Sequence, residues 1–569
     1  MPHQSRLLVS RLKSIIYCIS VALLFIAVKL FHMQINLTTV FFRLSQRNFL
    51  RHEKTASPRG NILDSKGVLL ATNRPITAVY WNGSGHRTLD EEQRIVLQIL
   101  EEILQKSLLD NPELELAERK NKKLALVHDI SFDQLSRILE QFPSHKNIVI
   151  TTTFKRFYPY NTLASHVVGY LGSLTTEGSG KMGLEKMFED TLKGTSGEIV
   201  KTINSVGKNL TEEEVKKALV GDNIQTTIDL DLQIIAEEVF PPEHAGVFIV
   251  MEAQTGALQV VLSRPSFDPN IFLNPIQAEE WALMQDKHPF LNRAFGSCYP
   301  PASLFKLVTI AAALETKLIT TDSTWYCNGE INFCGRPYHC SRLTGHGCLT
   351  LKEVLAKSCN IPFYEMGRYI KIDTLAEYAG RLGLGKPTNI IFPEKTGLIP
   401  TRQWKRKTKG EPWWPGETLS AAIGQSFLLI TPLQAARMVS ALCEGYLIKP
   451  RILVSEPIEQ EKLDLSPETL QFLQESMKQT IKHGTGQPLN TLRNIEIHGK
   501  TGTAQTSSLE KRDTGSQFLE HAWFVGHVRY KNHNPITLMI FIENTGSSRS
   551  ATAVAKTFLT RYCNFLDQS

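Results

Sequence analysis

Hydrophobic and polar positions alternate differently in three stretches of this chain. At the start, Arg6, Arg11 and Lys13 precede an apolar run from Ile15 to Val28, which Lys29 interrupts and Leu30, Phe31, Met33 and Ile35 resume. That run is about the length a bilayer-spanning helix needs, with Lys29 snorkelling to the far interface. It predicts a membrane anchor over 15–36 behind a short tail, 1–14. A cleaved signal peptide would share the basic and apolar regions, but no clear small-x-small cleavage site follows. Arg43 and Arg47 lie just beyond the span, so charge bias does not set its orientation.

The middle stretch mixes short patterns. Ser57-Pro58-Arg59-Gly60-Asn61-Ile62-Leu63-Asp64, Lys66-Gly67 and Asn73-Arg74-Pro75 read as strand pieces broken by turns. Leu89 to Asn111 has helical periodicity and many charges, which predicts a solvated amphipathic helix; a second helix is predicted over Ser131 to Phe142. Glu118 to Lys123 reads as solvated surface. From Thr226 the texture changes again. Asp229 opens a helix with an acidic start, and Gly246–Val250 and Leu258–Leu262 form a hairpin around Gln254-Thr255-Gly256. Helical runs are predicted at Leu304–Leu318, Leu351–Met366 and Pro432–Leu442. Strands are predicted at Asn494–His498, Ala522–Val528 and Ile536–Ile542. A sheet with several helices but no regular strand–helix alternation predicts an α+β fold, with a boundary near residue 222.

With 569 residues, 42% apolar and 21% charged, the chain can bury two or three cores and is not globally disordered. A net charge of +7 suits anionic lipid or pyrophosphate groups. No basic stripe with interleaved aromatics is present, so no nucleic-acid partner is expected.

Four Ser-x-x-Lys pairs occur: Ser10/Lys13, Ser205/Lys208, Ser303/Lys306 and Ser508/Lys511. Only Ser303, preceded by Pro300-Pro301, opens a strongly apolar helix. Residues three apart share a helix face, so Lys306 can approach the Ser303 hydroxyl, and burial would keep that lysine neutral enough to accept its proton. Lys-Thr-Gly occurs at Lys395, in loop-like sequence, and at Lys500, after an alternating strand. Gly502 leaves room for a substrate backbone, Thr501 and Thr503 offer hydroxyls to a carboxylate, and Lys500 offers charge. Asn494 stands where a phosphate loop would need its first glycine, which excludes that reading. Ser358-Cys359-Asn360 lies between the two elements; Ser358 can relay a proton and Asn360 can hold a substrate amide.

Ser-x-x-Lys, Ser-x-Asn and Lys-Thr-Gly in this order resemble the class B penicillin-binding proteins. Pro58-Arg59-Gly60 through Pro75, Tyr158-Pro159, His166–Gly172 and Gly183-Leu184-Glu185 look like that family's non-catalytic pedestal. Asn292-Arg293-Ala294, Gly424-Gln425, Thr431-Pro432 and Ala522-Trp523-Phe524 look like its catalytic domain. Pro400-Thr401-Arg402-Gln403-Trp404 and Trp413-Trp414-Pro415-Gly416 are most similar to the elongation branch, penicillin-binding protein 2. The resemblance implies a pedestal (dimerisation-type) domain over 45–222 and a DD-peptidase/β-lactamase-like transpeptidase domain, an antiparallel sheet flanked by helices, over 223–569. It implies catalytic roles for Ser303, Lys306, Ser358, Asn360 and Lys500, substrate binding by Thr501, Gly502 and Thr503, and an oxyanion hole from the Ser303 and Thr503 N–H groups. Two positions depart from the family: Ala302 and Ser426 stand where it has glycine. Ala302 is expected to avoid a glycine-only conformation.

The implied reaction cross-links peptidoglycan stem peptides through an acyl-enzyme that β-lactams mimic, on the outer side of a bacterial cytoplasmic membrane, beside a SEDS-family glycosyltransferase. A division-specific transpeptidase is the alternative within the class. A β-lactamase or β-lactam sensor shares the scaffold, but no motif for a deacylating base is found. The chemistry needs no cofactor. Nine cysteines include Cys327, Cys334, Cys340, Cys348 and Cys359 in one stretch, with His339 and His346 among them. Disulfides are the default outside the cell, and thiolates with imidazole equally suit a structural zinc. By resemblance to zinc-carrying relatives, the ligands would be Cys327, Cys340, His346 and Cys359. Trp404, Trp413 and Trp414 are expected to pack as loop anchors, and His498 to be structural.

Overall fold

The computed structural model describes residues 2–55, 57–172, 178–203, 209–274, 276–505 and 515–568. A helix, Pro2–Phe31, continues through a wide turn, His32–Asn36. Within it Arg11–Asn36 is 26 residues long, wholly unburied and apolar enough to cross a membrane. The Ser205/Lys208 and Ser508/Lys511 pairs lie outside the described residues.

The chain packs into two compact units: Met1–Pro58, Arg74–Lys155 and Lys193–Gly221 form one, and Arg59–Asn73, Arg156–Leu192 and Asp222–Ser569 the other. In the first unit, Glu91–Leu104 begins with a capping box between Asp90 and Gln93 and ends where Gln105 turns left-handed, short of the expected Asn111. Its Val96, Leu97 and Leu100 face Val79 and Trp81 in one core. Helix Phe132–Gln141 is capped by Ser131. The expected solvated stretch from Glu118 is corrected at its first residue. Glu118 is buried, where it accepts hydrogen bonds from Trp81 Nε1 (2.9 Å), the Ser84 amide (2.9 Å) and Gln93 Nε2 (3.0 Å). A carboxylate tolerates burial when its lone pairs are matched in this way.

The second unit is built on a five-stranded antiparallel sheet. Its strands in chain order are β1 (Gly246–Glu252), β2 (Leu258–Arg264), β3 (Ile495–Ala504), β4 (His521–Tyr530) and β5 (Ile536–Ile542), in spatial order β2-β1-β5-β4-β3. Both faces are covered, so β1 and β5 read as nearly continuous apolar runs, while the edge strand β3 alternates. On one face Phe248 and Val250 pack with helices α1 (Leu230–Val239) and α7 (Arg549–Gln568). On the other, Val247, Ile249 and Met251 join a core that includes α2 (Lys306–Glu315), α3 (Leu351–Ala356), α4 (Ile361–Tyr369), α5 (Pro432–Glu444) and α6 (Pro467–His483). Asp229 caps α1 through the amides of Asp231 and Leu232. Arg59 belongs to this unit and finds its partners there. Its Nε meets Glu185 Oε2 at 2.6 Å and its Nη2 meets Glu189 at 2.7 Å, while Arg156 Nε takes the other Glu185 oxygen at 2.7 Å.

Candidate active site

Ser303 sits in a tight 3-10 turn, Ala302–Leu304, from which α2 runs into the core with every residue from Lys306 to Ala313 buried. A helix apolar all round must be interior, and it carries Lys306 with it. Ala302 does not avoid the left-handed region: its φ is +50°. The expectation is corrected by packing. The Ala302 amide donates to Gly424 O at 3.0 Å, and a Cβ on Gly424 would stand 1.9 Å from Ala302 O. The two backbones touch, and the contact fixes the turn in front of the serine. Ser426, the second departure from glycine, is also left-handed, at φ +73°.

The apolar run Leu351–Met366 predicts one helix, but two form. Ser358 adopts φ +53° after α3, and α4 starts only at Ile361. The break turns Cys359 into the core and Ser358 and Asn360 toward Lys306. Lys306 Nζ donates to Ser358 O (2.8 Å), Asn360 Oδ1 (2.8 Å) and Ser358 Oγ (3.2 Å), and lies 5.0 Å from the Phe363 ring centre. Its hydrogen bonds go to this segment rather than to Ser303 Oγ, because the turn at Ser303 is 3-10 while the helix break presents four acceptors, the fourth being Cys359 O at 3.4 Å. Asn360 Nδ2 in turn donates to His339 O at 3.2 Å.

Strand β3 is the sheet's edge and brings the third motif. Lys500 Nζ donates to Ser358 Oγ at 3.1 Å and to Thr501 O at 2.9 Å. Ser358 Oγ is thus bracketed by two buried lysines. Burial lowers the Lys306 ammonium to about 8, against the attraction of the Cys359 and Cys340 sulfurs. Lys500 is pushed well below its ordinary value by burial and then by the neighbouring Lys306 charge. Gly502 pairs with Trp523, and a side chain on it would meet Trp523 Cβ at 3.2 Å and Pro301 O at 3.5 Å, so β3 lies directly against the Ser303 turn. Thr503 follows Gly502 on the strand, half-buried and paired with Ala522. The Thr501 hydroxyl bonds to that of Thr485, a partner with no motif to announce it. The other Lys-Thr-Gly, at Lys395, lies outside any helix or strand, its Thr396 O accepting from Gln434 Nε2 at 2.9 Å.

Two small hairpins, Thr324–Cys327 with Gly347–Thr350 and Glu330–Phe333 with Arg336–His339, gather the cysteine cluster. Donor atoms of Cys327, Cys340, His346 and Cys359 lie within 4.8 Å of one another. Cys340 Sγ is 3.4 Å from His346 Nδ1 and 3.7 Å from Cys359 Sγ, too far for a disulfide, and all nine cysteines are free. The Asn360 amide donates to Cys340 Sγ at 3.5 Å. The hydrogen bond with Cys359 draws the Cys340 thiol toward its ionised form. Elsewhere, Trp404 and Trp413 pack on Phe427 with ring centres 5.3 and 6.3 Å apart, while Trp414 is exposed.

The fold brings a serine turn, a lysine pair and an edge strand together, which suits acyl transfer. Comparison with known proteins gives the same direction. Residues 246–560 match the penicillin-binding protein transpeptidase domain, and residues 54–226 match the penicillin-binding protein dimerisation domain. The peptidoglycan D,D-transpeptidase MrdA of Haemophilus influenzae is 29% identical, covering 89% of this chain and 84% of its own length. MrdA of Escherichia coli K12 is 26% identical, covering 91% of this chain and 88% of itself. Among solved structures, the complex between penicillin-binding protein PBP2 and MreC from Helicobacter pylori aligns at 26% identity and a TM-score of 0.79. The alignment covers 92% of this chain and 99% of that one. A chain from a peptidoglycan synthase complex aligns at 29% identity and a TM-score of 0.74, covering 97% and 98%.

Proposed function

Because this chain belongs to the penicillin-binding protein transpeptidase family, we propose that it cross-links peptidoglycan stem peptides during cell elongation. Its transpeptidase domain would span 223–569, its pedestal 45–222 and its anchor 15–36, with the catalytic part outside the cytoplasmic membrane. In the proposed reaction Ser303 Oγ attacks the carbonyl of the D-Ala-D-Ala bond. Its proton passes to the lysine pair, and the bond to the terminal D-Ala breaks. The departing amine takes a proton through Ser358, leaving an ester on Ser303. An amine from a neighbouring stem peptide then attacks that ester, forming the cross-link and returning the proton to Ser303.

The observation that carries this reading is Ser358 Oγ, held 3.2 Å from Lys306 Nζ and 3.1 Å from Lys500 Nζ. It gives the proton a route between two lysines that burial disposes to be neutral. The first-turn amide of Ser303 has no intrahelical acceptor, which suits it to an oxyanion together with the Thr503 amide. Asn360 would orient the stem peptide amide, and Thr501, Gly502 and Thr503 its carboxylate end. Fluorescent penicillin labelling tests the assignment: Ser303→Ala should abolish the covalent adduct, seen by intact mass. An undiminished adduct on that variant removes Ser303 from the mechanism.

The Cys327, Cys340, His346 and Cys359 set fits a structural zinc: two sulfurs and one imidazole from the hairpin region meet the sulfur of Cys359 from the break between α3 and α4, with a backbone N–H already on Cys340. A zinc there would brace Ser358 and Asn360 from behind. It supplies folding energy and no chemistry to the acyl transfer. A SEDS-family glycosyltransferase is the proposed partner in the membrane. The support is the likeness to a chain of a peptidoglycan synthase complex.

A further inference from the structure

A second cluster of metal-type donors lies away from the cysteine hairpins. His498 and His527 stand opposite each other on β3 and β4, with ring centres 6.2 Å apart and planes inclined by only 18°. Cys443, one residue before the end of α5, comes in over them; its sulfur is 4.0 Å from His498 Nδ1. One donor atom from each of the three residues lies within 4.8 Å of the other two. None of these residues serves the acyl transfer.

His527 carries a buried nitrogen without a hydrogen-bond partner among the described residues. Its side chain is 0% exposed, and its Nε2 bonds to Glu444 Oε1 at 2.8 Å. With the proton on Nε2, Nδ1 is a bare lone pair, and that atom is buried with no hydrogen-bond partner among the described residues. Carboxylate–imidazole pairs of this form hold a histidine in the tautomer and orientation a metal requires. Glu444 is suited to that duty, since its carboxylate also faces a guanidinium. Arg529 Nη2 takes the same oxygen at 3.0 Å. His498 has Glu496 3.6 Å from its Nε2.

We propose that Cys443, His498 and His527 form a second metal site, which takes one Zn²⁺ ion. Thiolate and imidazole together select thiophilic d10 ions, and three protein donors leave one tetrahedral position for water. His498, with 13% of its side chain exposed, is where that water reaches the site. On binding, the sulfur–hydrogen bond of Cys443 is exchanged for a sulfur–zinc bond, and the proton leaves to solvent. No redox partner is needed. Bound zinc would tie the end of α5 to two neighbouring strands, two residues from Lys500. It is a positioning element for the lysine-bearing edge, separate from the hairpin cluster behind Ser358.

The test is zinc content of the full-length chain in detergent after dialysis against Zn²⁺, measured by elemental mass spectrometry. Cys443→Ala should lose one equivalent, and Cys340→Ala a different one, so failure of either assignment shows independently. An unchanged zinc content in folded Cys443→Ala overturns the second site. Should that variant not fold, crystals of the unaltered protein decide. An anomalous peak at the zinc edge among Cys443, His498 and His527 supports the site. Its absence from zinc-soaked crystals means a hydrogen-bonded thiol–imidazole cluster only, and overturns it.

Discussion

Single residues set the conditions of this site. Ala302 holds a left-handed backbone at φ +50°, a conformation that costs an L-residue roughly 1–2 kcal/mol and that glycine adopts freely. Ala302→Gly should therefore raise the unfolding midpoint, by the equivalent of about 1 kcal/mol in thermal or denaturant unfolding. His166 gives a pH signature. It is buried, its Nε2 is 2.7 Å from Pro289 O, and burial lowers it from 6.5 to about 4, with Arg293 adding to the effect. The unfolded chain then binds the proton more readily than the folded one. Stability from this residue is complete above pH 6.5 and is lost as pH falls toward 4, by ~3 kcal/mol in all. His166→Gln, which keeps a donor for Pro289, should flatten that part of the stability–pH curve. Parallel curves for the two proteins would show that His166 does not titrate as described.

At the scale of elements, most of the catalytic unit was legible from pattern alone. The hairpin at Gly246 and Leu258, the capped start at Asp229 and the strands after Asn494 and Ala522 stand where periodicity and turn residues put them. What pattern did not reveal were demands made by distant contacts. The run Leu351–Met366 is apolar enough for one helix, yet it breaks because Cys359 must turn inward and Ser358 must meet two lysines from elsewhere in the chain. Glu118 looks like a surface charge, since nothing near it in sequence announces Trp81 and Gln93. The motifs named side chains that meet in the structure, and the helix break sets their geometry. The Gly424 loop is the matching constraint on the serine turn. Gly424→Ala would place Cβ 1.9 Å from Ala302 O at φ +80°. It should cost roughly 2–4 kcal/mol and slow penicillin labelling together. Normal labelling at normal stability would mean that the two backbones can part without consequence.

For the whole molecule, the anchor is a physical prediction. Arg11–Asn36 is long and apolar enough to span a bilayer. The full chain should stay with membranes after alkaline carbonate washing, and its intact mass should include that segment. Recovery of the protein in the wash would show that the segment had been removed or had never inserted.

The connectivity of the larger unit bears on how it is made. Ile62–Leu63 pairs in parallel with Ile224–Gln225, and the flanking Asn61 amide bonds Asn223 across a sequence separation of 162 residues. At synthesis rates of about 5–20 residues per second, the early strand waits on the order of ten seconds or more for its neighbour. During that interval it is an open edge on a nascent polypeptide, able to recruit the wrong strand. Slow arrival of the second half, rather than slow pairing, then limits maturation. A chaperone that shields that edge until residue 224 has emerged would raise the yield of correctly paired protein without changing the rate.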